Sequence, residues 1–180
     1  NLKEQGLEEN TIVMFTTDHG EMSGSHKLIA KTTFYEESSK IPVIIRYPKE
    51  IKQSSTNNQA LISTIDIMPT LLDLAGVAVP EGIDGKSFKK QIFEPEASAT
   101  EFNIVFSQNQ FGRMVRYEEF KYVRSIVYGT TYEVLFDLKD DPNESKNLVN
   151  DPTFKSELVK GRKLLDDWLE NEQTQLIAEK

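Results

Sequence analysis

Two short, nearly continuous apolar runs stand at residues 11–15 and 41–45 of this chain. Both are rich in strand-forming residues. A run without polar alternation is typical of a strand buried on both faces, as in a parallel sheet covered by helices. Pro42 falls at the start of the second run, where its missing N–H is tolerated. The pattern therefore predicts two buried strands in a helix-covered sheet.

Residues 66–76 carry the signals of a helix. Asp66 can cap its start, Pro69 lies in the first turn, and Gly76 is a good terminator. The apolar face is expected to consist of Leu71, Leu72 and Ala75. Residues 77–101 hold several prolines and glycines and are interpreted as a connecting segment, with a boundary near residue 100.

The pattern changes after that boundary. Short β-prone runs follow each other at 104–106, 113–117, 121–128 and 132–138, several of them separated by turn signals. Consecutive strands with short connections predict an antiparallel sheet. The last element is a helix capped by Asp151 and Pro152. Its apolar stripe has helical spacing and comprises Phe154, Leu158, Leu165, Trp168 and Leu169.

These elements predict an α/β protein in two parts. Residues 1–100 are interpreted as the distal part of a larger α/β sheet domain. Residues 101–180 are interpreted as a small α+β subdomain, an antiparallel sheet covered by a C-terminal helix.

Composition narrows the function classes. The 180 residues carry a formal net charge of −8, which argues against general affinity for nucleic acid or an anionic membrane surface. No apolar run approaches the roughly 20 residues of a membrane span. There is no cysteine, so disulfides, thiolate metal sites and cysteine nucleophiles are excluded from this stretch.

Asp18 and His19 are the strongest candidates for chemistry because they follow a predicted buried strand. Ligand sites in α/β sheets gather beyond the carboxyl ends of strands, where a carboxylate and an imidazole could both reach one cation. Gly20 would let the backbone turn away. The spacing alone equally allows a capping aspartate and a surface histidine.

A polar stretch containing His26 and Lys31 comes next. A lysine near a metal could bind an oxyanion as a compact point charge, and His26 could donate to the same anion; both could also be ordinary surface residues. The neighbours Glu36 and Glu37 fit capping or a salt bridge better than acid–base catalysis. Four basic residues are interpreted as the solvated edge of the second sheet: Arg113, Arg116, Lys121 and Arg124.

The order of motifs resembles the sulfatases, an arylsulfatase-like family of the alkaline-phosphatase-like superfamily. The matching stretches are TTDHGE at 16–21, GSH at 24–26, KTTFYEES at 31–38, IPVIIRYP at 41–48, TIDIMPTLLDLAG at 64–76 with IDGKS at 83–87, and LFDLKDDPNESKNL at 135–148. The resemblance covers nearly the whole chain and corresponds to the C-terminal portion of such an enzyme.

The resemblance implies a hydrolase of sulfate esters with a divalent cation, usually Ca²⁺. Asp18 and His19 match the late pair of metal ligands, and Lys31 matches a lysine that contacts the sulfate. His26 occupies a position that is often a histidine followed by glycine, although Lys27 follows it here. The nucleophile would be a formylglycine made from Cys or Ser in an earlier motif that this chain lacks, as it lacks the early acidic metal ligands. Because imidazole suits Zn²⁺ or Mn²⁺ better than Ca²⁺, these ions stay alternatives.

Three hypotheses follow. The chain is the C-terminal fragment of a sulfatase, inactive alone, acting on a sulfated small molecule or sulfated carbohydrate. Alternatively it belongs to a metal-dependent phosphodiesterase or phosphonate hydrolase of the same superfamily, or is a non-catalytic stand-alone module. The first hypothesis predicts self-association through sheet edges that a longer protein would cover. The family resemblance also suggests a periplasmic or extracellular enzyme.

Overall fold

Antiparallel pairing organises both sheets of the protein. The computed structural model describes residues 1–51, 54–94 and 102–178, with side chains described as far as residue 171. The chain divides into two compact units: unit 1 comprises Asn1–Gly20 and Ser39–Phe102, and unit 2 comprises Glu21–Ser38 and Asn103–Lys180. The predicted boundary near residue 100 lies outside the described residues.

Unit 1 contains a two-stranded sheet in which β1 (Val13–Phe15) pairs with β2 (Ile44–Arg46). The strands are antiparallel, with Met14 opposite Ile45. The expectation of a parallel arrangement is therefore wrong for this pair. Within these 180 residues, Phe15 and Ile44 are each 61% exposed. An apolar run indicates that a strand can be buried. It does not determine whether the neighbouring strand is parallel or antiparallel, or which segments pack on the two faces of the strand.

The helical elements of unit 1 are short: 3-10 turns at Glu8–Asn10 and Thr64–Asp66, α2 (Ile67–Leu74) and α3 (Lys89–Phe93). Ser63 caps the second 3-10 turn, and the Asp66 carboxylate accepts from the Ser63 amide at 2.8 Å in a capping box. The cap thus lies three residues before the predicted one. Gly76 ends the helix with φ +71°, as expected of a terminator.

Unit 2 is built on a four-stranded antiparallel sheet in the order β3 (Ile104–Asn109), β4 (Gly112–Tyr117), β5 (Phe120–Val127) and β6 (Thr130–Asp137). The predicted antiparallel sheet is confirmed. A 3-10 turn at Pro152–Phe154 leads into α4 (Lys155–Ala178), and the Asp151 side chain accepts from the Thr153 amide at its start. No helix among the described residues has the length and apolar character to cross a bilayer.

One face of this sheet packs against α4. The buried residues of this core are Val115, Tyr117, Tyr122, Leu135, Leu148, Leu158 and Leu165, and the rest of the predicted helix stripe packs at its border. Gly161 lets the helix approach closely: a Cβ there would lie 2.8 Å from both the Tyr117 hydroxyl and the Tyr122 Cβ. The helix is therefore seated on the sheet at contact distance.

The opposite face of the sheet is covered by residues 21–38, hereafter the strap. Phe34 packs against Met114 and Val123, and the Tyr35 ring lies 5.9 Å from the Phe136 ring. The last residues of the strap belong to α1 (Glu36–Ser39). Both faces of the four-stranded sheet are thus covered by segments of unit 2 itself.

Candidate active site

Asp18 and His19 follow β1 and turn their side chains toward each other. The Asp18 Oδ2 atom lies 3.4 Å from the His19 Nε2 atom. The other ring nitrogen, Nδ1, donates to the Gly20 carbonyl oxygen at 2.7 Å. A carbonyl can only accept, so this bond places a proton on Nδ1 and directs Nε2 toward the carboxylate.

This arrangement suits a cation. Ligand atoms about 2.0–2.5 Å from one metal ion lie roughly 3–3.5 Å apart at a right angle, which is close to the observed separation. The Asp18 side chain is 83% exposed, and its own backbone N–H lowers its pKa below the usual value, with His19 adding to the effect. The carboxylate is therefore ionised and accessible at neutral pH.

The pair would supply only part of a coordination sphere. Within the residues that the structure describes, no three His, Asp or Glu side chains come together as a metal site. Calcium takes six to eight oxygen ligands and zinc about four ligands. Further ligands would have to come from outside these residues.

His26 lies in a tight loop of the strap, closed by backbone bonds from Met22 to Ala30 and from Gly24 to Leu28. Its backbone has φ +51°, and its ring stacks on Tyr35 with the centroids 3.8 Å apart. Its Nε2 atom is 4.0 Å from the Glu37 carboxylate. The Glu37 backbone N–H, together with the Ser25 hydroxyl, lowers the pKa of Glu37, so an anion faces the imidazole.

Lys31 lies at an exposed position of the strap. Its neighbours Ala30 and Thr32 have φ of +66° and +93°, and the Thr32 carbonyl oxygen accepts from the Asn109 side chain at 3.1 Å. The predicted site residues therefore fall in both units: Asp18 and His19 in unit 1, His26 and Lys31 in unit 2. Their joint role in one site stays a prediction.

A buried ion cluster was missed by the sequence reasoning. Lys121 is fully buried, and its Nζ atom lies 2.6 Å from Glu36 Oε1, 2.8 Å from Glu144 Oε1 and 2.8 Å from the Phe34 carbonyl oxygen. The second Glu36 oxygen, Oε2, binds Arg116 at 3.1 Å, and the Glu36 amide donates to Glu144 at 2.6 Å. The interpretation of Lys121 as a solvated edge residue is wrong.

Charge balance explains the cluster. Arg116 and Lys121 are cross-strand partners on β4 and β5, and like charges directly opposite each other repel. Glu36 bridges the two cations, and Glu144 supplies a second carboxylate. Burial raises the pKa of Glu144, and the Lys121 ammonium opposes that rise, so each charge depends on the others.

The sequence of residues 24–171 matches the family of the C-terminal region of N-sulphoglucosamine sulphohydrolase. This match covers most of the chain. The chain belongs to the sulfatase family. The resemblance inferred from the motif order is thereby confirmed, and membership of this family implies in general terms a divalent cation.

Individual sulfatases are similar over nearly the whole chain. A Δ4,5-hexuronate-2-O-sulfatase of Bacteroides thetaiotaomicron is 36% identical over 170 residues, covering 89% of this chain and 35% of that protein. A solved structure in complex with its substrate, D-glucosamine-2-N,6-O-disulfate, superposes with a TM-score of 0.84 at 28% identity, covering 96% of this chain and 37% of that one. These likenesses confirm the α/β fold class.

The superfamily extends beyond sulfatases. The phosphonate monoester hydrolase of Agrobacterium radiobacter superposes with a TM-score of 0.71 at 25% identity, covering 92% of this chain and 36% of that one. This chain spans about a third of the length of the curated relatives it matches. The chain therefore corresponds to a minority of the residues of each of these relatives.

The cluster was missed because charge in a β-prone run usually marks a solvated position. One signal was available: Lys121 alternates with the apolar Phe120 and Tyr122 but shares its side of the strand with Val123. A strand whose two faces are both apolar around a single lysine indicates a buried cation that needs a carboxylate partner.

Proposed function

We propose that the complete protein is a sulfatase that hydrolyses a sulfate ester of a carbohydrate. The observation that carries the proposal is the convergence of Asp18 Oδ2 and His19 Nε2, 3.4 Å apart at the end of β1, in a chain of the sulfatase family. The carbohydrate class is supported by relatives and neighbours that act on sulfated uronate and glucosamine.

Asp18 and His19 would hold the divalent cation together with ligands from the rest of the protein. When bound, the cation polarises the sulfate oxygens and orients the ester for attack. Calcium is the first candidate from the family resemblance, and the imidazole makes zinc or manganese reasonable alternatives. The His19 Nδ1–H bond to Gly20 keeps the ring in the tautomer that presents Nε2.

Lys31 and His26 would act on the sulfate itself. An ammonium group fixed beside the sulfuryl oxygens stabilises charge that moves onto them in the transition state. His26 could donate a hydrogen bond to the ester or leaving-group oxygen, helped by the anionic Glu37 at 4.0 Å. The nucleophile we assign is a formylglycine formed from a Cys or Ser outside these 180 residues.

A comparison of substrates tests this function. The complete protein is assayed on an aryl sulfate, a sulfated monosaccharide, an aryl phosphate and a phosphonate monoester. It is first stripped of metal and then reloaded with Ca²⁺, Zn²⁺ or Mn²⁺. We expect sulfate esters to be hydrolysed with the largest kcat/KM and activity to return with one ion. Faster turnover of the phosphonate monoester would assign the protein to the other branch of the superfamily.

A further inference from the structure

We infer that Lys121 is a positioning residue for the sulfate-contacting face of the strap, acting through Phe34 and Glu36 on the backbone that carries Lys31. The inference rests on the proposed function, since it assigns a catalytic purpose to the strap. It concerns a residue of β5 whose buried ammonium contacts the strap.

The ammonium of Lys121 fastens the strap at two points. It binds the Phe34 carbonyl oxygen and the Glu36 carboxylate, the residues on either side of Tyr35. Tyr35 carries the stacked ring of His26, and Phe34 lies three residues after Lys31. One buried cation thus holds the backbone on both sides of Tyr35, which supports the His26 ring, starting at Phe34, three residues beyond Lys31.

The strap needs such fastening because its backbone is strained. Of the eight non-glycine residues with positive φ in the described structure, five lie in the strap, at Ser23, His26, Lys27, Ala30 and Thr32. A non-glycine residue in this conformation is unfavourable and persists only where the surroundings determine it. Ala30 and Thr32 flank Lys31, so release of the strain would move the Lys31 side chain.

An ordinary hydrophobic anchor would hold the strap less specifically. The Lys121 Nζ atom lies within 2.8 Å of oxygen atoms of three different residues: it donates to the Phe34 carbonyl and forms ion pairs with Glu36 and Glu144. Glu144 also accepts from the Glu36 amide. The cluster therefore ties the strap to β5 and to Glu144 through directional polar contacts, in addition to the apolar packing of Phe34.

The test compares three variants of the complete protein. Lys121→Met removes the ammonium and keeps most of the side-chain volume. Glu144→Gln is milder, because Lys121 keeps Glu36 and the Phe34 carbonyl, and it serves if Lys121→Met fails to fold. Arg124→Met is the matched control: it removes a cation from the same strand whose partner is Asp166 on α4.

We expect kcat of Lys121→Met to fall on the order of 100-fold with KM for an aryl sulfate changed much less, since a displacement of about 1 Å can cost that much. Glu144→Gln should lose about tenfold. Hydrogen–deuterium exchange should accelerate in residues 21–38 for both, relative to α4, while Arg124→Met leaves strap exchange unchanged.

Combination with Lys31→Met separates positioning from simple destabilisation. If Lys121 acts through Lys31, the kcat loss of the double variant should be close to that of Lys31→Met alone, although its melting temperature falls further. Multiplicative kcat losses, or a strap whose exchange does not change in Lys121→Met, would overturn the inference. A wild-type protein that hydrolyses no sulfate ester would instead refute the proposed function, and the exchange data would still report whether Lys121 fixes the strap.

Discussion

The two sheets of this protein contain similar apolar strand residues that differ in how far they are buried. In unit 2, Val115, Tyr122 and Leu135 are fully buried because α4 covers their face of the sheet, and the strap packs on Met114 and Val123 on the other face. In unit 1, Phe15 and Ile44 are mostly exposed on a two-stranded sheet within these 180 residues, which span about a third of the relatives' length. Strand-forming composition alone did not decide burial; the segments available to cover each face did.

The difference also separates the candidate site residues. His26 and Lys31 lie on the strap of unit 2. The strap is held to the sheet by the Lys121–Glu36 ion pair and by the hydrogen bond from Asn109 to the Thr32 carbonyl. Asp18 and His19 are held by local bonds along the chain, such as that from His19 Nδ1 to Gly20. The two candidate sulfate-binding residues, His26 and Lys31, are thus expected to be sensitive to distant changes in unit 2.

The packing contrast is tested most strongly by truncating one side chain in each unit of this 180-residue chain. Leu165→Ala opens a cavity under α4 and should lower the free energy of unfolding of unit 2 by about 2–5 kcal/mol. Phe15→Ala should cost only about 0.5 kcal/mol, because most of the ring is already in water. Urea unfolding of both variants measures the two values.

Val159→Ala is the control for helix α4, because Val159 is 55% exposed on the same helix. It should stay within about 0.5 kcal/mol of wild type. A Phe15→Ala variant as unstable as Leu165→Ala would contradict the contrast between the units.

The proposed metal pair gives the second prediction. In the complete protein, Asp18→Ala should lower kcat/KM for a sulfate ester by on the order of 100-fold or more, since a bound cation contributes several kcal/mol to the transition state. Activity at raised metal concentration should recover in part. Asp84→Asn, which alters another exposed aspartate of unit 1, should leave both activity and metal content unchanged; equal metal content in Asp18→Ala would count against the pair.

The third prediction concerns the strap. Lys31→Met should lower kcat by about 100-fold, the usual cost of losing one fixed donor to the transition state, with little change in the melting temperature. Lys27→Met is the matched control, since Lys27 is an exposed lysine four residues earlier with positive φ of its own. Loss of equal size in both variants would show that Lys31 has no special role.

Much of unit 2 could be predicted from the sequence. The alternation of apolar residues and the turn signals between 104 and 138 predicted four antiparallel strands, and all four exist. The Asp151 cap and the apolar stripe of α4 could be predicted as well, because both depend on the identities of residues close together in the sequence. These features depend on short-range rules.

Other features could not be predicted because they depend on residues far apart in sequence. The antiparallel pairing of β1 with β2 joins strands about 30 residues apart, and the cluster joins Glu36 to Lys121 and Glu144. The sequence around a single lysine or glutamate does not indicate which distant residue forms an ion pair with it. The capping box at Ser63 differs from these features, because its Ser-x-x-Asp spacing is local and is sufficient to predict it.

The smallest expected effect tests how unit 2 ties α4 to its sheet. Glu133 on β6 accepts from Arg162 of α4 at 2.8 and 2.5 Å; these bonds lower the pKa of Glu133 below its model-peptide value of 4.5. A carboxyl group with a lowered pKa in the folded state stabilises that state above pH 4.5, and the contribution is lost as pH falls through the lowered pKa. Glu133→Gln should therefore lower the free energy of unfolding by about 1 kcal/mol at pH 7. Its difference from wild type should shrink below pH 4.5 in urea unfolding.

Glu118→Gln, which removes an exposed ion pair to Lys160, should cost less at pH 7. A Glu133→Gln deficit that is the same at pH 7 and at pH 3.5 would mean that packing, rather than the charge on Glu133, holds the helix to the sheet at this point.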